Sequence, residues 1–220
     1  MLEVSEIFYS LQGESTWAGF PCIFVRLSDC NLRCSYCDAG YTYTEAGTLR
    51  SVAEIVTTIA AWHCPLVEIT GGEPLIQDDT IELCRRLTAA GRQVLLETNG
   101  SIAVAAVPEE VHIIMDVKCP GSGMVDSLHL PNFELLAQRK RKTGRCDEIK
   151  FVLSSREDYL WARELIRRHR LEAIALLLLS PVQERFTAAE AAELLLADRL
   201  EARLQLQLHK ILWPGHERGK

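Results

Sequence analysis

Three cysteines, Cys30, Cys34 and Cys37, stand at the spacing C-x3-C-x2-C. From Cys30 to Cys37 that spacing lets one tight loop turn three thiolates toward a common centre. Iron–sulfur cubanes are held by cysteine thiolates, ordinarily four of them, so three would leave one iron open to a small molecule. Structural zinc usually draws on paired C-x2-C elements with further Cys or His ligands, and the chain has no second such pair. The spacing therefore favours a [4Fe–4S] cluster over zinc or three reduced thiols. The other cysteines, at positions 22, 64, 84, 119 and 146, form no close pair. They read as buried or free thiols, in keeping with the burial habit of cysteine.

Two further features have chemical uses. Gly71-Gly72-Glu73-Pro74 follows the apolar run Leu66 to Thr70, and paired glycines let a backbone come close to a ligand. Arg26 interrupts the apolar run Cys22 to Leu27; its guanidinium either faces water or forms a fork for a carboxylate. Among the histidines, His209 stands at a strand end and reads as a structural or hydrogen-bonding group.

These residues need elements to hold them. Period-two and continuous apolar runs predict strands at Ile7 to Leu11, Cys22 to Leu27, Leu66 to Thr70, Gln93 to Glu97, Val111 to Val117, Glu148 to Leu153, Ala173 to Leu179 and Arg203 to Leu208. Capping boxes, in which a hydroxyl and a carboxylate three residues apart satisfy free backbone N–H groups, predict helices after Ser51/Glu54, Ser154/Glu157 and Thr187/Glu190. Further helices are expected from Asp79 to Ala90, closed by Gly91, and from Asn132 to Arg139. The basic run Arg139-Lys140-Arg141-Lys142 reads as a solvated turn. Alternating strands and helices predict an α/β fold with parallel pairing. A closed eight-fold barrel takes about 250 residues. This chain of 220 predicts a partial, TIM-like barrel of about six parallel strands with covering helices, as a single domain over 1–220. Sites in such folds lie beyond the C-terminal strand ends. The cysteine loop, the Gly-Gly turn, Glu97-Thr98-Asn99, Asp116 to Lys118, Ser180 to Gln183 and His209-Lys210 all fall at such ends.

The formal charge of −6 argues against nucleic-acid binding, which needs a basic surface. The start of the chain lacks the basic flank and apolar run of a signal peptide. No run approaches the roughly 18 apolar residues of a membrane span. A cytoplasmic protein with reduced thiols and a small-molecule partner is expected.

The cysteine motif, with Tyr36 before its last cysteine, and the Gly-Gly-Glu-Pro turn one βα unit later resemble the radical S-adenosylmethionine superfamily. Within it the chain resembles the 7-carboxy-7-deazaguanine synthase family. That resemblance is carried by Leu11-Gln12-Gly13-Glu14, Phe24 to Leu27, Cys37-Asp38, Thr70 to Pro74, Glu97 to Gly100, Asp116-Val117-Lys118 and Gln207 to Lys210. It implies a carbon–nitrogen lyase that converts 6-carboxy-5,6,7,8-tetrahydropterin to 7-carboxy-7-deazaguanine, with loss of ammonia, on the route to queuosine. It implies Cys30, Cys34 and Cys37 on a [4Fe–4S] cluster whose open iron receives S-adenosylmethionine. Contacts to S-adenosylmethionine are implied for Tyr36, Cys37, Asp38, Gly72, Glu73, Asp116, Val117, Lys118, Ser180, Pro181, Val182 and Gln183. Contacts to the pterin are implied for Leu11, Gln12, Gly13, Glu14, Arg26, Thr70 and Pro214. An electron donor such as flavodoxin or ferredoxin, a homodimer and Mg²⁺ are implied as well. The family places Thr or Ser two residues after the third cysteine to meet Mg²⁺; here that position is Ala39, leaving Thr42 or Asp38 as substitutes. Two other functions share part of the pattern. An activase that installs a glycyl radical on a partner protein gives no role to Gln12 or Arg26. A zinc or electron-transfer module predicts no reductive cleavage of S-adenosylmethionine.

Overall fold

A computed structural model describes residues 1–216, 218 and 219. Its nine strands are β1 (Leu2–Leu11), β2 (Pro21–Leu27), β3 (Thr48–Arg50), β4 (Leu66–Gly71), β5 (Gln93–Thr98), β6 (His112–Val117), β7 (Glu148–Leu153), β8 (Leu176–Pro181) and β9 (Arg203–Leu204). Its helices are α1 (Tyr41–Thr44), α2 (Val52–Ala60), α3 (Thr80–Ala89), α4 (Pro131–Thr143), α5 (Arg156–His169), α6 (Ala188–Asp198) and α7 (Leu208–Leu212). The strands form one open sheet in the order β3-β1-β2-β4-β5-β6-β7-β8-β9. From β2 to β9 every pairing is parallel, and β1 joins β2 and β3 antiparallel. The expected partial, TIM-like α/β barrel of about six parallel strands with covering helices is what forms, as one open sheet that gains an antiparallel edge of two strands.

The two faces of the sheet differ in chemistry. Ile23, Val25, Val67, Ile69, Val94, Leu96, Ile113, Met115, Ile149 and Phe151 face the helices in one contiguous apolar core. The alternate positions Arg26, Glu68, Thr70, Glu97, Asp116 and Lys150 face the opposite way, into a shared cavity. A parallel strand is normally apolar on both faces; here one face is given over to charge.

Local sequence accounts for most element ends. Ser51 accepts from the Glu54 amide and Thr187 from the Glu190 amide, each completing a capping box. The cap of α5 is one residue later than expected: Ser155 accepts from the Asp158 amide, while the Ser154 hydroxyl and amide donate to the Asp158 carboxylate. Residues 171–173 form a turn of 3-10 helix, so β8 starts at Leu176 rather than Ala173. The basic run 139–142 is the last turn of α4, not a loop. Cations suit the negative helix end, and Arg139 is tied to Asp147 (2.8 Å) and to the carbonyls of Val107 and Val111. The last strand stops at Leu204 instead of Leu208. Beyond it the Gln205 amide still donates to the Leu179 carbonyl, whereas the Leu208 amide donates to Gly13 and opens α7.

Candidate active site

The cysteine loop is shaped by its own backbone and its neighbours. Asp29, in the left-handed region at φ 68°, turns the chain out of β2, and its Oδ1 accepts from the Cys30 amide at 2.7 Å. Five neighbours then hold the loop. Thr42 accepts the Asp29 amide (2.6 Å), and the Glu73 amide donates to the Asp29 carbonyl (2.9 Å). Asn99 Nδ2 donates to Asn31 (3.0 Å). Ser35 donates to Ser122 and Gly121 through its amide and hydroxyl. The glycines matter at this contact. A Cβ on Gly72 would stand 1.7 Å from the Asp29 carbonyl oxygen, and one on Gly71, at φ 136°, would stand 2.1 Å from the Leu27 carbonyl oxygen. No side chain fits where the Gly-Gly turn meets the cysteine loop.

Cys30, Cys34 and Cys37 line a cavity of about 480 Å³, within the range of small-molecule sites. None of the other five cysteines lines it; four are buried elsewhere and Cys146 is half-buried. Among the described residues no group of three His, Cys, Asp or Glu converges to hold a single metal ion. Three thiols without a fourth is the donor set of a cubane with one free iron. Asp116 lines the same cavity, and its Oδ1 is buried without a hydrogen-bond partner among the described residues. The residues present therefore fit a cluster with a polar ligand beside it.

The structure brings most of the expected site residues into this one cavity with the thiols: Tyr36, Asp38, Gly72, Asp116, Lys118 and Val182, and also Leu11, Gln12, Gly13, Glu14, Arg26, Thr70 and Pro214. Five stand outside its lining. Glu73 is fully buried and accepts from the Asn99 amide (2.6 Å), the Leu75 amide (2.9 Å) and the Thr98 hydroxyl (2.8 Å), so it braces the turn. Val117 packs in the apolar core, as its alternation with Asp116 requires. Ser180 and Pro181 are buried within β8. Gln183 is exposed and accepts from the Ala188 amide at the start of α6.

A charge network runs across the middle of the cavity. Lys150 on β7 pairs with Glu14 (2.8 Å), with Glu97 and, at 3.5 Å, with Asp116, which also pairs with Lys118 at 2.9 Å. Burial alone would raise the Glu14 and Asp116 carboxyls; Lys150 for one, and Lys118 with Lys150 for the other, hold both below the ordinary carboxylate range. Burial would likewise lower Lys150, but the three carboxylates hold it well above its usual value. Glu68 goes the other way: burial and then neighbouring Glu97 push it well up, and it shares a hydrogen bond with the Gln12 amide. Sequence reasoning passed over Glu68. The signal was its period-two relation to Thr70 inside an otherwise apolar strand.

The end of the chain forms the remaining wall. Gln207, His209, Lys210, Pro214, Gly215 and His216 line the cavity. Gln207 donates to Glu14 (2.7 Å), and Lys210 pairs with Asp38 (3.1 Å). A Cβ on Gly13 would lie 2.4 Å from His209 Nδ1, so the imidazole rests on bare backbone. Ala39 lines the cavity without a side-chain ligand atom, and the Thr42 hydroxyl already donates to the Ala39 carbonyl (2.7 Å).

Comparison with known proteins adds the following. Residues 25–131 match the model of the radical SAM superfamily. The chain is 42% identical over 218 residues to a 7-carboxy-7-deazaguanine synthase of Chlorobaculum tepidum, covering 99% of this chain and 97% of that one. It is 41% identical to a protein of the same name from Koribacter versatilis, covering 99% and 100%. The crystal structure of QueE from Escherichia coli superposes with a TM-score of 0.70 at 23% identity, covering 94% of this chain and 93% of that one, which speaks for the fold.

Proposed function

The chain belongs to the 7-carboxy-7-deazaguanine synthase family of the radical SAM superfamily, and from that premise we propose how its cavity converts 6-carboxy-5,6,7,8-tetrahydropterin to 7-carboxy-7-deazaguanine and ammonia. A [4Fe–4S] cluster held by Cys30, Cys34 and Cys37, with S-adenosylmethionine beside it, would supply reductively triggered radical chemistry capable of hydrogen-atom abstraction from the substrate. The observation that carries the reading is the single cavity shared by three cluster thiols and the half-buried cation Arg26.

Cys30, Cys34 and Cys37 hold the cluster. Tyr36, Asp38, Gly72, Asp116, Lys118 and Val182 contact S-adenosylmethionine, with the unpartnered Asp116 oxygen free to accept from a ligand hydroxyl. Glu73, Val117, Ser180, Pro181 and Gln183 support those positions from behind. Arg26 takes the substrate carboxylate, and Leu11 to Glu14, Thr70 and Pro214 take the pterin. Thr70 already donates to Glu97 at 3.0 Å, which leaves its oxygen lone pairs to the ligand. Mg²⁺ here relies on Asp38, substrate oxygens and its own waters, since Ala39 offers no side-chain oxygen. We also propose one domain over 1–220, a homodimer, a flavodoxin or ferredoxin as reductant, and a cytoplasmic location. Among the described residues no helix is long and apolar enough to cross a membrane.

The test is anaerobic. Reconstituted, reduced protein given the carboxy-tetrahydropterin, S-adenosylmethionine and Mg²⁺ should release the deazaguanine and ammonia. Cys34→Ala should lose iron, sulfide and 5′-deoxyadenosine formation together. Absence of product from cluster-loaded protein, or cleavage of S-adenosylmethionine by the variant, overturns the reading.

A further inference from the structure

Arg26 does not stand alone. Its Nε donates to Glu6 Oε1 at 2.9 Å, and the Tyr41 hydroxyl donates to the same oxygen at 2.8 Å. Among the described residues the two terminal nitrogens of Arg26 have no hydrogen-bond partner, and Arg26 and Tyr41 line the cavity while Glu6 does not. The guanidinium carbon lies 5.8 Å from the centre of the Phe8 ring, which stacks on Phe24 at 4.9 Å. The side chain is therefore held along one edge, by a carboxylate, and near an aromatic ring.

The backbone has been rearranged to allow this. In the β1–β2 pair Val4 lies opposite Leu27 and Glu6 opposite Arg26, with the register shifted between Val4 and Glu6. Ser5 is the extra residue of a bulge. With no bulge, Ser5 would face Arg26, and Glu6 would lie opposite Val25, whose side chain is fully buried in the apolar core. Opposed residues in an antiparallel pair share a face, so the bulge is what turns Glu6 toward Arg26. Bulges re-aim side chains in this way beside functional sites.

We infer that Glu6 positions Arg26, fixing its Nε edge so that the two terminal nitrogens meet the carboxylate of the substrate. This rests on the assignment of a carboxylated pterin to the cavity, and it adds a residue that confers selectivity for the carboxylate over the bare pterin ring. Glu6 touches neither substrate nor cofactor. It acts through the guanidinium, whose planar fork matches a carboxylate only in one orientation.

Binding to cluster-loaded protein, read from pterin fluorescence, tests this apart from turnover. Wild-type protein is titrated with 6-carboxypterin and with pterin. Glu6→Met keeps the chain length and removes both acceptor oxygens; it should weaken 6-carboxypterin roughly tenfold and leave pterin within about twofold. Glu6→Gln, which retains one acceptor, should restore part of the loss, and it carries the test alone should Glu6→Met fail to load the cluster. In an Arg26→Lys background, removing Glu6 should add nothing, because the edge it holds is gone. Equal weakening of both ligands, or an additive loss in the lysine background, overturns the inference. A wild-type protein that binds 6-carboxypterin selectively but makes no product would fault the proposed reaction and leave the role of Glu6 standing.

Discussion

Lys150 Nζ lies 2.8 Å from Glu14 Oε2, joining the loop after the first strand to the middle of the seventh across the cavity. Lys150 is 5% exposed and faces three carboxylates. Lys150→Met leaves Glu14 and Glu97 without their cation and Asp116 with Lys118 alone. Removing one partner of a buried network of this kind costs about 3–5 kcal/mol. Urea unfolding at pH 7 should show a loss of unfolding free energy of that size, read as the midpoint shift multiplied by the m-value.

The depressed Glu14 and Asp116 carboxyls set the acid limb. Their stabilisation is present above the unfolded carboxylate pKa, about 4, and is lost as pH falls through their lower folded values. The raised Lys150 contributes below about pH 10.4 and loses that contribution as pH rises through its folded value. The difference in stability between wild type and Lys150→Met should therefore be largest between about pH 5 and 10. It should shrink on acidification, and equal differences at pH 3 and pH 7 would contradict the network.

Glu68 has the opposite sign. A carboxyl raised in the folded state stabilises below its unfolded pKa and loses that contribution as pH rises. Glu68→Gln retains an acceptor for Gln12 and removes the titration. Its stability relative to wild type should improve as pH goes from 5 to 8, read from paired denaturant curves at the two values.

Gly72→Ala brings a methyl group within 1.7 Å of the Asp29 carbonyl. The turn and the cysteine loop cannot both keep their places. Iron and sulfide content after reconstitution should fall by at least about half, with far-UV circular dichroism unchanged because the strands themselves are untouched.

Ala39→Thr restores an oxygen where the family supplies one to Mg²⁺. Mg²⁺ is bound by few protein oxygens, so one added ligand should lower the Mg²⁺ concentration for half-maximal turnover roughly tenfold. A curve that superposes on that of wild type would show that the cation sits elsewhere.

What could be read without coordinates was whatever is written locally. The boxes at Ser51/Glu54 and Thr187/Glu190 are three-residue patterns, and the cysteine loop is contained between Cys30 and Cys37. Errors arise where a distant segment decides. Leu204, Leu206 and Leu208 alternate as a strand should, yet the Leu208 amide is drawn to Gly13. Glu68 looks like one charge in a short strand until Glu97 and Lys150 are set beside it by sheet order. The α5 cap slipped by one because Ser154, Ser155, Glu157 and Asp158 offer competing partners, and only the buried Asp158 decides among them.

The residues after β1 reach far along the chain: Thr16 to Glu148, Ser15 to Gln205, Gly13 to Leu208 and Glu14 to Gln207. During synthesis the ribosome releases these partners in reverse order of need. When Glu14 emerges, its counter-ion is still 136 residues away, and the wall carrying Gln207 and His209 comes last. Long-range closures of this sort fold slowly. A nascent chain stopped before β7 would expose its cysteine loop beside unpaired carboxylates. Loading of the iron–sulfur cluster is then expected to follow release of the whole chain, and a C-terminal truncation should impair assembly at a loop some 170 residues upstream.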